Sequence, residues 1–257
     1  MNFVSRAAGK FSRALYAAWS LSLFALLISV AAVLALLVPW LPWRRALTRG
    51  CARLWLGLVG LRVRTTGLEL LPHGSCVLVA NHSSYLDGIV LTAVLPPRFG
   101  FVVKREAASM PIAGLLLRRI GAEFVDRHSR GGRQRDARRV VERAEQGHSL
   151  VFFPEGTFDA ERGLRRFHLG AFVAAARSGV PLVPVVIHGA RRALPGETRV
   201  PRPGRLHVEV LPPIGGRDET PEHLRDTARG LVLERLGEPD LARQRAPAPT
   251  ESLATSS

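Results

Sequence analysis

The stretch CVLVANHSSYLDG, residues 76–88, decides the fold class. CVLVA is an unbroken apolar run with His73, Gly74 and Ser75 before it and Asn81 after it. Such a run suits a strand buried on both faces, the usual condition of a parallel sheet. Beyond it a helical pattern runs near residues 87–95, so a strand feeds a helix across a short polar turn. That is the repeating unit of an α/β domain.

The same grammar continues on both sides. Candidate strands fall at 61–65, 76–80, 100–103, 122–125, 149–153, 182–187 and 206–210, and helical patterns near 87–95, 111–119, 133–146, 168–178 and 221–236. The expectation is a single mixed or mostly parallel sheet flanked by helices. Before residue 61 the composition changes. AAWSLSLFALLISVAAVLALLV, residues 17–38, is uncharged and about as long as the roughly 20 residues that cross a hydrocarbon core. No small-residue cleavage site precedes Pro39, and Trp19, Trp40 and Trp43 bracket the run, so it reads as an uncleaved anchor. The next segment places Ala46, Leu47, Cys51, Leu54, Trp55, Leu58 and Val59 at helical spacing, with Arg44, Arg45, Arg49 and Arg53 elsewhere. It reads as an interfacial helix. The Pro-Trp-Leu-Pro joint between them permits one true span or a two-helix hairpin dipping into a single leaflet. Residues 1–60 are thus expected to form a membrane anchor, 61–237 the α/β domain, and the Pro-, Ala-, Ser- and Thr-rich 238–257 a disordered tail.

The chain has 257 residues and a net charge of +15, densest around the apolar block, where seven basic groups occur with no acidic one. Cations beside a hydrophobic segment attract anionic head groups, about 1 kcal/mol each near the surface. Membrane lipids are therefore the expected partner. Nucleic acid is the competing partner for so basic a chain, but no binding motif is present and only two Tyr could stack on bases. Two cysteines, Cys51 and Cys76, form neither a disulfide framework nor a metal-ligand pattern, which fits a reducing compartment.

His82 and Asp87 carry the first chemical signal. With eight His in the chain, a His-x4-Asp pair is expected by chance about 0.2 times, so its spacing alone is a weak motif. Spacing allows two readings: Asp87 orients His82 as a base, or Asp87 caps a helix and His82 is a loop residue. Position adds to it, because active sites of open α/β sheets lie at the carboxyl ends of strands. A second strand, in SLVFFPEGTF at 149–158, brings Glu155 and turn amides to the same kind of edge. No Gly-x-Ser-x-Gly elbow occurs, although Ser83 and Ser84 adjoin the histidine. No second His or carboxylate stands near His82 at ligand spacing, so no metal is expected there.

NHSSYLD at 81–87 and FPEGT at 153–157 resemble two signature motifs of the glycerolipid acyltransferases, the lysophosphatidic acid acyltransferase family. VVKREAASMPIAGLLLRRIGAEFVDR at 102–127 is similar to that family's second block and VPLVPVVIHG at 180–189 to its fourth. The four blocks stand in the family's order across roughly residues 70–190. The resemblance implies transfer of a fatty acyl group from acyl-CoA or acyl carrier protein, as co-substrate and with no bound cofactor, to a lysolipid hydroxyl. The acceptor it points to is 1-acyl-sn-glycerol 3-phosphate. It further implies His82 as general base held by Asp87, Lys104 and Arg127 as cations for the acceptor's phosphate, and Glu155, Gly156 and Thr157 as residues shaping the acceptor site. The expected location is the cytoplasmic face of the cell membrane. One departure bears on the acceptor: the family's third motif commonly continues with Arg, and this chain has Phe158. Arg165 or Arg166 could supply the lost cation. A different lysolipid, such as lyso-ornithine lipid, and a phospholipid-dependent transacylase are the competing readings.

Overall fold

Seven strands form one sheet in the computed structural model, which describes residues 3–126, 130–158, 161–198, 200–215 and 219–244. The strands are β1 (Leu61–Thr66), β2 (Val77–Ala80), β3 (Phe99–Lys104), β4 (Glu123–Val125), β5 (Ser149–Phe152), β6 (Leu182–His188) and β7 (Gly204–Val210). The helices are α1 (Phe3–Leu37), α2 (Leu41–Leu58), α3 (Leu86–Val94), α4 (Pro111–Arg119), α5 (Arg130–Glu145), α6 (Gly170–Ser178), α7 (Ala190–Ala193), α8 (Pro221–Leu236) and α9 (Leu241–Gln244). The strand order is β1-β7-β6-β2-β5-β3-β4. Only β6 and β7 pair antiparallel, so the expected mixed sheet is found.

Two layers cover it. One buried cluster joins Leu78, Ala80 and Val151 of the sheet to Leu56 of α2, Leu86 and Leu91 of α3 and Ala190 of α7. The other joins Val77, Val79 and Phe152 to Val140 of α5, Phe172 of α6 and Val232 of α8. Alternate residues of β2 therefore enter opposite cores, which is why CVLVA has no polar residue. The β2/β5 register places Val79 beside Phe152. His82 and Glu155 each lie three residues past that pair, at the same sheet edge.

The N-terminal segment is a helical hairpin built onto the domain. α1 and α2 run antiparallel, with Tyr16 Oη donating to Val59 O (2.9 Å), Trp55 Nε1 to Ser20 O (3.2 Å), and Phe24 edge-on to Trp55. By length and composition, Phe11–Leu37 could cross a membrane. Its later part packs Ala31, Ala32 and Ala35 against Leu116 and Ile120 of the α4 region. The arginines of α2 differ from the sequence expectation. Arg45 donates to Ile120 O and Arg98 O (both 2.8 Å), Arg49 to Ala93 O and Val94 O, and Arg53 to Ala93 O (2.7 Å). These guanidinium groups satisfy the carbonyls where α3 and α4 end, where the helix dipole favours a cation, and so turn towards protein.

The chain's end also departs from expectation. Pro239–Leu241 pair with Leu164 through main-chain bonds, Asp240 is ion-paired with Arg229, and Leu241 is buried. Order therefore continues past residue 238, to the end of α9. Two arginines of α5 are also engaged within the protein: Arg139 and Arg143 pair with Glu123, at 3.2 and 2.9 Å.

Candidate active site

His82 sits in the turn between β2 and α3. Asn81 fixes the base of that turn by bonding both the N–H and the carbonyl of Ile187 on β6, at 2.7 and 3.0 Å. Ser84 fixes its far side, donating from Oγ to Leu194 O and accepting from Leu86 N. The turn is thus held at both ends before any catalytic group is considered.

Asp87 is fully buried in the first turn of α3 and aims back at the turn. Its Oδ2 receives three groups: Ser83 N at 2.6 Å, Ser84 N at 2.8 Å and His82 Nδ1 at 2.9 Å. Two backbone N–H bonds favour an ionised carboxylate, which can only accept. The third contact therefore assigns the proton to Nδ1 of His82, leaving Nε2 with its lone pair. Asp87 Oδ1 is buried and makes no hydrogen bond.

Glu155 shapes the site from beneath. It is 4% exposed, and its two oxygens accept the backbone N–H groups of His82 (2.6 Å) and Arg165 (2.9 Å). One carboxylate thereby ties the catalytic turn to the loop that follows β5. Burial pushes its pKa up to about 7, with the Asp87 charge adding to the rise, while the two backbone bonds and Arg191 oppose it. Gly156 closes the turn after β5, with φ +77° and its N–H donated to Phe153 O. Thr157 is exposed beside it.

Aromatic rings enclose His82. Phe153 stacks on the imidazole at 4.4 Å, and Phe158 meets it edge-on at 4.6 Å. Phe158 also stands perpendicular to Tyr85, 4.8 Å away. The ring at 158 thus fills the space directly beside the base, where a motif arginine would present a charge. His82 keeps 19% of its side chain exposed, enough for one approach.

Lys104 ends β3, two strands from β2 at the same edge, and its side chain is exposed. Arg127 lies outside the described residues. The backbone amides around the turn are engaged in the fold: Ser83 and Ser84 donate to Asp87, and Gly156 to Phe153. Sequence reasoning did not single out Asn81, Tyr85 or Phe153. The position of Asn81 directly before His82, at the last residue of an apolar run, was the available signal.

The Acyltransferase family profile matches residues 62–188. The 1-acyl-sn-glycerol-3-phosphate acyltransferase alpha of Mus musculus is 33% identical over 235 residues, covering 87% of this chain and 79% of the mouse protein. A lyso-ornithine lipid O-acyltransferase of Pseudomonas aeruginosa is 30% identical, covering 67% of this chain and 71% of its own. In fold, the chain matches the crystal structure of the 1-acyl-sn-glycerophosphate acyltransferase PlsC from Thermotoga maritima, with a TM-score of 0.76 over 88% of this chain and 95% of that one, at 20% identity. The chain spans 57% and 56% of the length of two chloroplastic plant relatives it also matches. With the two motifs side by side at one sheet edge and relatives of this extent, the chain belongs to the glycerolipid acyltransferase family of the lysophosphatidic acid acyltransferase type.

Proposed function

We propose that the protein is a membrane-associated O-acyltransferase that moves a fatty acyl group from an acyl thioester, of CoA or acyl carrier protein, to the hydroxyl of a lysophospholipid. The observation that carries this reading is the Asp87–His82 pair, with Nδ1 bound to a buried carboxylate and Nε2 left as the base. The acceptor hydroxyl gives its proton to Nε2 as its oxygen attacks the thioester carbonyl. The tetrahedral intermediate then expels the thiolate, which takes the proton from Nε2, so histidine ends as it began. A base so positioned supplies roughly 10²- to 10⁴-fold in rate.

Relatives named for 1-acyl-sn-glycerol 3-phosphate support lysophosphatidate as acceptor, with Lys104 and Arg127 as cations for its phosphate. Phe158 favours a second reading. An apolar ring beside the base suits an acceptor that needs no cation there, and one relative is named for lyso-ornithine lipid. The apolar helix α1 supports residence at a membrane, and two free cysteines suit a cytoplasmic-facing catalytic domain.

The test is acyl transfer by purified protein, using labelled acyl-CoA or acyl carrier protein and a lipid extract, with products identified by mass spectrometry. His82→Ala is expected to lose 10²-fold or more of the activity, by the loss of base catalysis. Equal transfer by a folded His82→Ala protein rejects the mechanism. Transfer that persists without thioester identifies a phospholipid-dependent transacylase instead.

A further inference from the structure

Helix α4 carries an apolar face that the domain does not cover. Met110, Ile112 and Leu115 are 54%, 42% and 39% exposed, and no charged residue occurs from Ser109 to Leu117. One turn further along the same side of the helix, Leu116 and Ile120 pack on Ala31, Ala32 and Ala35 of α1. Polar bonds lock the same contact, with Arg119 donating to Ala35 O and Leu36 O (both 3.0 Å) and Arg44 to Arg119 O (3.2 Å). On the α1 side of this seam, Val30, Val33 and Leu36 are themselves exposed. The uncovered residues of α4 and those of α1 thus border one contact between two helices held together.

We propose that Met110, Ile112 and Leu115 form a third lipid-contacting element, immersed in the same bilayer leaflet as α1. This rests on the reading that α1 resides in a membrane. The occupant follows from continuity: whatever medium bathes Val33 and Leu36 also reaches the α4 face beside them. A surface helix with an uncharged, apolar end inserts shallowly at the acyl boundary. Arg119, in the last turn, holds α1, and Arg118 turns back to Ala108 O beside Gly114, so both cations are bonded to main-chain carbonyls. The consequence is functional. The first turn of α4 follows Lys104 by a short 3-10 segment and so starts from the sheet edge that bears His82; its immersion sets that edge against the lipid surface. A lysolipid then reaches the base by sliding along the leaflet, without leaving it.

The test uses the full chain with Cys51→Ala, Cys76 being buried, and one new cysteine per protein carrying an environment-sensitive fluorophore. Positions are Ile112→Cys on α4, Val33→Cys on α1, and Glu222→Cys on α8, which covers the opposite sheet face. Each protein is reconstituted in vesicles of phosphatidylethanolamine and phosphatidylglycerol, with or without lipids carrying a nitroxide near the head of the acyl chain. The expectation is a blue shift and about a twofold or greater loss of emission at 112 and at 33, with none at 222. Quenching at 33 with an aqueous spectrum at 112 overturns the α4 proposal and leaves the membrane reading standing. No quenching at 33 overturns both. A blue shift at 112 that nitroxide lipids leave untouched assigns the face to a second copy of the chain, and also overturns the proposal.

Discussion

At the residue scale, the sequence posed capping and catalysis as alternatives for Asp87, and a single oxygen makes the contacts that each of them calls for. Oδ2 takes the N–H groups of Ser83 and Ser84 ahead of α3 and the Nδ1 of His82. The same bonds that organise the turn therefore set the tautomer of the base. Glu155 plays the matching part from β5, and its titration is a measurable handle. Its pKa, near 7 in the fold, lies above the ordinary value of 4.5. The fold thus favours the protonated form, a contribution fully present below about pH 4.5 and lost as the pH rises through 7, worth roughly 3 kcal/mol by linkage. Glu155→Gln removes that titration and presents an amide to one of the two backbone donors. Thermal unfolding in detergent is expected to lose its dependence on pH between 4.5 and 7, and kcat to fall about tenfold with KM little changed, as a misplaced base predicts. Parallel pH profiles for the two proteins would reject this role. Phe158 lies edge-on to His82, and the proposal for the acceptor is tested there. Restoring a cation there, Phe158→Arg, is expected to raise kcat/KM for lysophosphatidate relative to lyso-ornithine lipid by about tenfold, because a guanidinium can bond two phosphate oxygens. An unchanged ratio would show that position 158 does not read the head group. His82 and Asp87 were legible from their motif and its strand edge. Their partners were not, since the groups that Asp87, Glu155 and Asn81 bind are main-chain groups that every residue carries alike.

At the scale of elements, the strands were readable within a residue or two, because each is a short apolar run closed by turn residues. The sequence did not show where the α2 arginines point. A basic stripe beside an apolar helix has the same spelling whether it faces phosphates or helix ends. In the structure Arg49 and Arg53 bond Ala93 and Val94, the last carbonyls of α3, and so act as clamps between the hairpin and the catalytic layer. Bonds from a charged donor to carbonyls are worth about 1.5–3 kcal/mol each, with the helix C-terminus adding to the attraction. The double variant Arg49→Ala, Arg53→Ala is therefore expected to lose roughly 3 kcal/mol of stability in denaturant titration. Its affinity for anionic vesicles is expected to stay as in the parent chain. Weakened vesicle binding with unchanged stability would return these arginines to the lipid head groups.

At the scale of the whole molecule, hydropathy separates residues 1–60 from the rest, while packing does not. Trp55, Leu56 and Val59 sit in the same buried cluster as Leu61, Leu78, Leu86 and Val151. A break in composition marks where the solvent changes, and a core can cross it when the helix on the far side supplies one wall. α2 is such a wall, covering α3 and one face of the sheet, while α1 reaches the same cluster through Leu23, with Phe24 and Leu27 packed against it. The two helices should then differ sharply when removed. A chain starting at residue 39 keeps α2 and its clamps, and is expected to retain a cooperative unfolding transition in detergent while losing most of its vesicle binding. A chain starting at residue 61 loses four side chains of that core at once, Leu23, Trp55, Leu56 and Val59. Deleting buried groups of that size costs about 2–5 kcal/mol each, comparable in sum with the 5–15 kcal/mol that holds a typical domain together. It is expected to show no cooperative transition and no acyl transfer, even though every motif residue is present. Activity and cooperative unfolding in that shorter chain would mean that the acyltransferase core is complete without its hairpin.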